Sequence, residues 1–158
     1  MNSVCKKKYT VFEEFSKDCS LLVEYINNNT PAMNVSQRIL YARKVLTKDI
    51  LNSCLTIGRL TEDIVNILDS KNNVLKLSMD NMIKNRLTHP EVTNQDYLKI
   101  LSIINNPSKY YKTKSGYDVI LFKEDEKCYK LVIKTTKNRK ENFVKSLHLL
   151  NKERYEKY

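Results

Sequence analysis

The sequence predicts an α+β protein, with an N-terminal helical segment over residues 1–72 and a small domain over residues 73–158 that packs two helices on an antiparallel sheet. Two observations carry this. Apolar residues recur at three- and four-residue steps through the first part of the chain and then, after residue 116, alternate at a period of two. The 158 residues also suffice for one compact unit with a helical attachment, but not for a second large domain.

Phe12, Phe15, Cys19, Leu22, Val23 and Ile26 form one stripe of an amphipathic helix, which the Asn27–Pro31 turn ends. Asn34 or Ser36 caps a second helix carrying Ile39, Ala42, Leu46, Ile50, Leu51, Cys54 and Leu55, closed by Gly58. Thr61, followed by Glu62 and Asp63 at the positive end of the dipole, opens a third, short helix through Ile64, Ile67 and Leu68. Val74–Leu77 then reads as a short strand. Ser78 caps a helix of Met79, Met82, Ile83 and Leu87, stopped by Thr88-His89-Pro90, and Thr93 opens another through Tyr97, Leu98, Leu101 and Ile104. Tyr117–Lys123, Tyr129–Thr136 and Phe143–Leu150 alternate as strands. The turns between them are short enough for hairpins, which makes a three-stranded antiparallel meander.

Composition removes several classes of function. Gly58 and Gly116 are the two glycines and lie far apart, so neither a P-loop nor a dinucleotide-binding fingerprint can be assembled. No apolar run approaches the ~18 residues of a membrane helix, and the basic start, Met1–Lys8, is followed by no long apolar stretch, so no signal peptide is expected. Cys5, Cys19, Cys54 and Cys128 include no pair at the spacing of a zinc ribbon or redox motif. Reduced core thiols in a cytoplasmic protein are the expectation, and no metal or cofactor is expected.

Lys and Arg number 28 against 18 Asp and Glu, a net charge of +10. Residues 1–79 carry a net +3 and residues 80–158 a net +7, so a polyanion would bind the second half. Tyr97, Tyr110, Tyr111, Tyr117 and Tyr129 are interspersed among those cations, as on surfaces where amines meet phosphates and rings stack on bases.

Alternation also sorts side chains by face. Tyr129, Leu131 and Ile133 point one way, and Lys130, Val132, Lys134 and Thr136 the other. In the last strand Phe143, Leu147 and Leu149 share a face with Lys145, while Val144, Ser146, His148 and Leu150 share the opposite one. With the apolar faces against the helices, Lys130, Lys134, Thr136, Ser146 and His148 lie together on the open face. An imidazole to move protons and amines to stabilise a charged phosphoryl group are the ingredients of phosphodiester cleavage. Each also has a plainer role: solvated sheet lysines, Ser78 as a helix cap, His89 at a helix end.

The run Val74-Leu75-Lys76-Leu77-Ser78, Lys84, His89-Pro90-Glu91-Val92-Thr93, Asp96-Tyr97 and Ile103-Ile104-Asn105-Asn106-Pro107, with Lys130–Lys134, Thr135-Thr136 and Ser146-Leu147-His148 beyond it, resembles the phage-associated barnase–EndoU–colicin–RelE-like (BECR) nuclease domains over residues 73–155. The resemblance implies a metal-independent endoribonuclease, used as a toxin or phage effector, which cleaves RNA (tRNA among the candidate substrates) by attack of the ribose 2′-hydroxyl on the adjacent phosphate. It implies His148 as general acid or base with His89 as its complement, Lys134 stabilising the phosphorane, and Ser146 and Thr136 bonded to phosphate oxygens. Ser78, Lys84 and Lys130 would line the cleft. It further implies an acidic inhibitor protein as a partner. Residues 9–70 match no pattern of that family and are expected to serve oligomerisation, partner binding or delivery, or simply to pack on the nuclease domain. The alternative function is a non-catalytic module that binds nucleic acid or a host protein on the same fold.

Overall fold

A computed structural model describes residue 5 and residues 7–158; residues 1–4 and 6, part of the basic start, lie outside the described residues. It is mixed α+β. The strands β1 (Lys8–Tyr9), β2 (Cys54–Arg59), β3 (Val74–Ser78), β4 (Lys109–Lys112), β5 (Asp118–Glu124), β6 (Cys128–Thr135) and β7 (Asn142–Leu150) join in the order β1-β2-β3-β7-β6-β5-β4. The helices are α1 (Phe12–Asn29), α2 (Val35–Val45), α3 (Lys48–Leu51), α4 (Glu62–Leu68), α5 (Met79–Thr88), α6 (Asn94–Leu98), α7 (Ile100–Asn105) and α8 (Lys152–Glu156). The chain forms two compact units, residues 1–56 with 77–90 and residues 57–76 with 91–158, so it crosses between them at three points and the expected single division at 72/73 is not where they part.

The first unit packs α1, α2 and α3 around α5. Phe15, Cys19 and Ile26 of α1 and Met79, Met82 and Ile83 of α5 are buried there, following the three- and four-residue spacing of the sequence. Asn34 is the cap of α2, accepting from the Gln37 N–H while the Gln37 side chain accepts from the Asn34 N–H. The expected second helix stops early. Leu46 leaves the helical region and the Thr47 hydroxyl caps the separate turn α3, after which Cys54–Arg59 runs as a strand rather than as helix. The β-branched Thr56 and Ile57 suit that pleated backbone. Gly58 therefore ends no helix; a Cβ there would stand 2.6 Å from Leu101 Cδ2, and its absence lets α7 approach β2.

The cysteines also differ from expectation. Cys5 and Cys54 form a disulfide that ties the chain before β1 to the start of β2, where Lys8 pairs with Cys54. Cys19 and Cys128 remain free and buried. Burial pushes the Cys19 thiol up to about 12.

In the second unit β4, β5, β6 and β7 are successively antiparallel and β3 adds in parallel beside β7. The meander is thus confirmed and extended by β4, whose Lys-Tyr-Tyr-Lys composition marks a polar sheet edge. Val119, Leu121, Leu131, Ile133 and Leu147 are buried on one face, with α7 and α4 packed along β5. The opposite face carries a smaller cluster of Phe122, Cys128 and Leu150 with Tyr155 of α8.

One register detail corrects the sequence reading. Val132 pairs with Ser146 but Ile133 with Val144, leaving Lys145 as the extra residue of a β-bulge. The bulge reverses the parity of β7, so Val144 lies opposite Ile133 on the core face and Phe143 opposite Lys134 on the other.

Candidate nucleic-acid interface

Cross-strand pairing arranges the face of the second unit that α8 partly covers into rows. Lys109, Phe122, Lys130 and His148 form one row across β4, β5, β6 and β7, and Tyr111, Ile120, Val132 and Ser146 form the next. Adjacent members of a row stand one strand spacing apart, about 5 Å. Lys130 is therefore the direct neighbour of His148.

His148 Nε2 lies 3.0 Å from Ser146 Oγ, a hydrogen bond between residues two apart that share a strand face. Both side chains are half-buried, and a bonded imidazole is held in one orientation. Lys130 is half-buried too, with its Nζ 5.1 Å from the centre of the Tyr158 ring. Burial opposes ionisation of Tyr158, but Lys130 and Arg154 outweigh it and leave the phenol below its ordinary value.

Lys134 occupies the same face, but pairs with Phe143 and Asp118. It stands four residues from Lys130, about 13 Å along the strand. Lys134 therefore lies two rows from His148, whereas Lys130 stands directly beside it. Asp118 beside it is neutralised by Lys145, at 3.0 Å. Thr136 lies past the end of β6. Its hydroxyl donates to Asn138 Oδ1 at 2.6 Å and accepts from the Glu141 N–H at 3.2 Å, which occupies it in the β6–β7 turn.

Ser78, Lys84 and His89 belong to the first unit. Ser78 accepts from the Asn81 N–H and caps α5, His89 is the C-cap of the same helix, and Lys84 is exposed on it. Of the tyrosines picked out in the sequence, Tyr97 and Tyr129 are buried, and Tyr117 is covered by the Arg139 guanidinium at 4.2 Å. Tyr110 and Tyr111 remain exposed.

Lys109, Phe122 and Tyr158 were not among the expected site residues. Lys109 donates to the backbone carbonyls of Tyr155 and Tyr158 and sits over the rings of Tyr155 and Phe122, which fastens the C-terminal segment to the sheet edge. Lys-Tyr-Tyr-Lys at 109–112 does not alternate, so no periodic signal in the sequence marks Lys109. Nothing in the sequence places Tyr158 over Phe122.

Asp96 is the other polar centre of this unit. Its carboxylate accepts from Tyr129 Oη at 2.8 Å, Lys127 Nζ at 3.1 Å, and the N–H and hydroxyl of Thr93 at 2.8 and 3.0 Å. It serves as both the capping box of α6 and the tie from α6 to β6.

Among the described residues no group of three or more His, Cys, Asp or Glu could hold a metal ion, and no helix is long and apolar enough to cross a membrane. Comparison with protein-family models, curated proteins and solved structures found no match to this chain.

Proposed function

We propose that the chain is a metal-independent endoribonuclease of the toxin or phage-effector type, built on a BECR-like domain and acting on cytoplasmic RNA, tRNA among the candidate substrates. The observation that carries this reading is the hydrogen-bonded His148–Ser146 pair with Lys130 as its direct cross-strand neighbour. His148 takes the proton of a ribose 2′-hydroxyl, and the 2′-oxygen attacks the adjacent phosphorus. Lys130 faces the equatorial oxygens of the phosphorane, where charge accumulates. Ser146 orients the imidazole and donates to a phosphate oxygen when the imidazole turns to the sugar. The bond to the 5′-oxygen breaks, that oxygen takes a proton from water, and a 2′,3′-cyclic phosphate remains. Lys134, two rows on, meets a neighbouring phosphate. An acidic inhibitor protein would cover the same cations, and the exposed Leu21, Tyr25, Leu40 and Val45 of the helical unit offer apolar area for a second copy.

A second reading has its own support. His148 is the one imidazole of its unit, and α8 already occupies part of the face. A non-catalytic binder of RNA or of a host protein needs no second proton-transfer group. Incubation of the purified protein with total RNA in EDTA, followed by end-group analysis, separates the two. Fragments ending in 2′,3′-cyclic phosphate are expected; intact RNA at protein concentrations that shift its mobility overturns the enzyme in favour of the binder.

A further inference from the structure

We infer that Tyr111 and Tyr158 form a base-stacking ledge beside Lys130, which selects unpaired RNA over duplex; the inference rests on the RNA-binding part of the reading above. Both rings are exposed, Tyr111 at 48% and Tyr158 at 39% of their surface, yet both lean on the same buried ring. Phe122 meets Tyr111 edge-on at 5.9 Å and Tyr158 in a tilted contact at 4.8 Å. Two exposed aromatics fixed on a buried third keep their orientation without a ligand, so stacking a base on them orders little that is not already ordered. Lys109 holds the arrangement by bonding the Tyr155 and Tyr158 carbonyls across Phe122.

Charge assigns the occupant. Lys130 lies 5.1 Å from the Tyr158 ring, and Lys109, two residues before Tyr111 on the same strand face, reaches over the Phe122 ring that both tyrosines touch. The ledge therefore has one ammonium at the Tyr158 ring and a second over the ring that supports both tyrosines, set to meet the phosphates of a strand whose bases stack there. An apolar peptide would use the rings but leave those cations without partners. Duplex RNA offers phosphates but keeps its bases inside the helix, where no ring can reach a base face. A single-stranded segment satisfies both groups at once, with its backbone directed along the row toward His148.

The test measures binding rather than turnover. A labelled single-stranded oligoribonucleotide and a hairpin duplex of equal charge are titrated in EDTA with the full chain carrying His148→Ala, so that no cleavage intrudes. Tyr111→Ala and Tyr158→Ala are expected to weaken single-strand binding by about fivefold to a hundredfold each, the range for one lost stack. Duplex affinity should change less than about twofold, and Tyr111→Phe should restore the single-strand value because its ring still stacks. Equal affinity for strand and duplex, alanine variants that bind both as before, or equal losses on both overturn the ledge. If the ledge behaves as expected while the unsubstituted protein leaves RNA intact, the inference stands and the nuclease reading falls.

Discussion

Asp96→Ala deletes a carboxylate that accepts from Thr93, Tyr129 and Lys127 while only 1% of the residue meets solvent. The largest loss is at Tyr129, 3% exposed, whose hydroxyl would be left buried without its acceptor. An unsatisfied buried polar group costs about 1–3 kcal/mol, and the broken capping box adds about 1 kcal/mol. The Lys127 contact adds little, because its ammonium is half exposed and screened by water. A loss of ~3 kcal/mol follows, and for a chain of this size it corresponds to a fall in Tm of roughly 6–12 °C. Asp96→Ala combined with Tyr129→Phe should recover part of the loss, since no hydroxyl is then stranded. Acid sensitivity gives a second readout. Burial works to raise the Asp96 pKa, but hydrogen bonds from Thr93, Tyr129 and Lys127 outweigh it and hold the group below its ordinary 3.8. A folded pKa below the unfolded one stabilises the protein above the ordinary value, and that contribution drains away as pH falls through the folded value. Asp96→Asn should therefore flatten the loss of stability below about pH 4. Thermal melts by circular dichroism from pH 7 down to pH 2 measure both effects. A drop under about 1 kcal/mol for Asp96→Ala, or an unchanged acid limb for Asp96→Asn, would refute this account of the α6–β6 tie.

Further outcomes follow from other parts of the molecule. Cys5→Ser opens the link to Cys54 across a sequence separation of 49; loop-closure entropy puts the loss near 4 kcal/mol in chemical denaturation, and a change under 1 kcal/mol would contradict it. Lys130→Ala should weaken RNA binding across sequences and lower the slope of log affinity against log salt by about 0.7, the share of one phosphate on a single strand; an unchanged slope would remove Lys130 from the interface. Asp118→Asn frees Lys145 from its ion pair on the same face, so RNA affinity should rise at low salt, read by the same titration.

How far the sequence reaches can be argued element by element. The helix stripe of Phe15, Cys19 and Ile26 and the alternation of Leu131 and Ile133 were legible because burial on one face imposes a period that no other conformation shares. The strand at Cys54–Arg59 was not, since Ile50, Leu51, Cys54 and Leu55 keep helical spacing straight across the break at residues 52–53. The Lys145 bulge shows in the letters only as the doubled steps Phe143-Val144 and Lys145-Ser146, which a strict period of two passes over. That residue exchanges the faces of Phe143 and Val144. In the candidate site, the Ser146–His148 pair followed from i, i+2 spacing alone. Choosing between Lys130 and Lys134 needed the register, because both lie on the same face and only pairing with β7 tells which one stands beside the imidazole. The Cys5–Cys54 link and the rings gathered on Phe122 join residues far apart in the chain, and spacing carries no signal of either.

The most direct test of the central claim is the cleavage rate of His148→Ala against the unsubstituted protein, on single-stranded RNA in EDTA, with melting curves run on both. A positioned proton-transfer group contributes about 10²- to 10⁴-fold, so the variant should lose activity by that factor while melting as before. Cleavage by the variant at the unsubstituted rate, with the fold intact, would contradict the account.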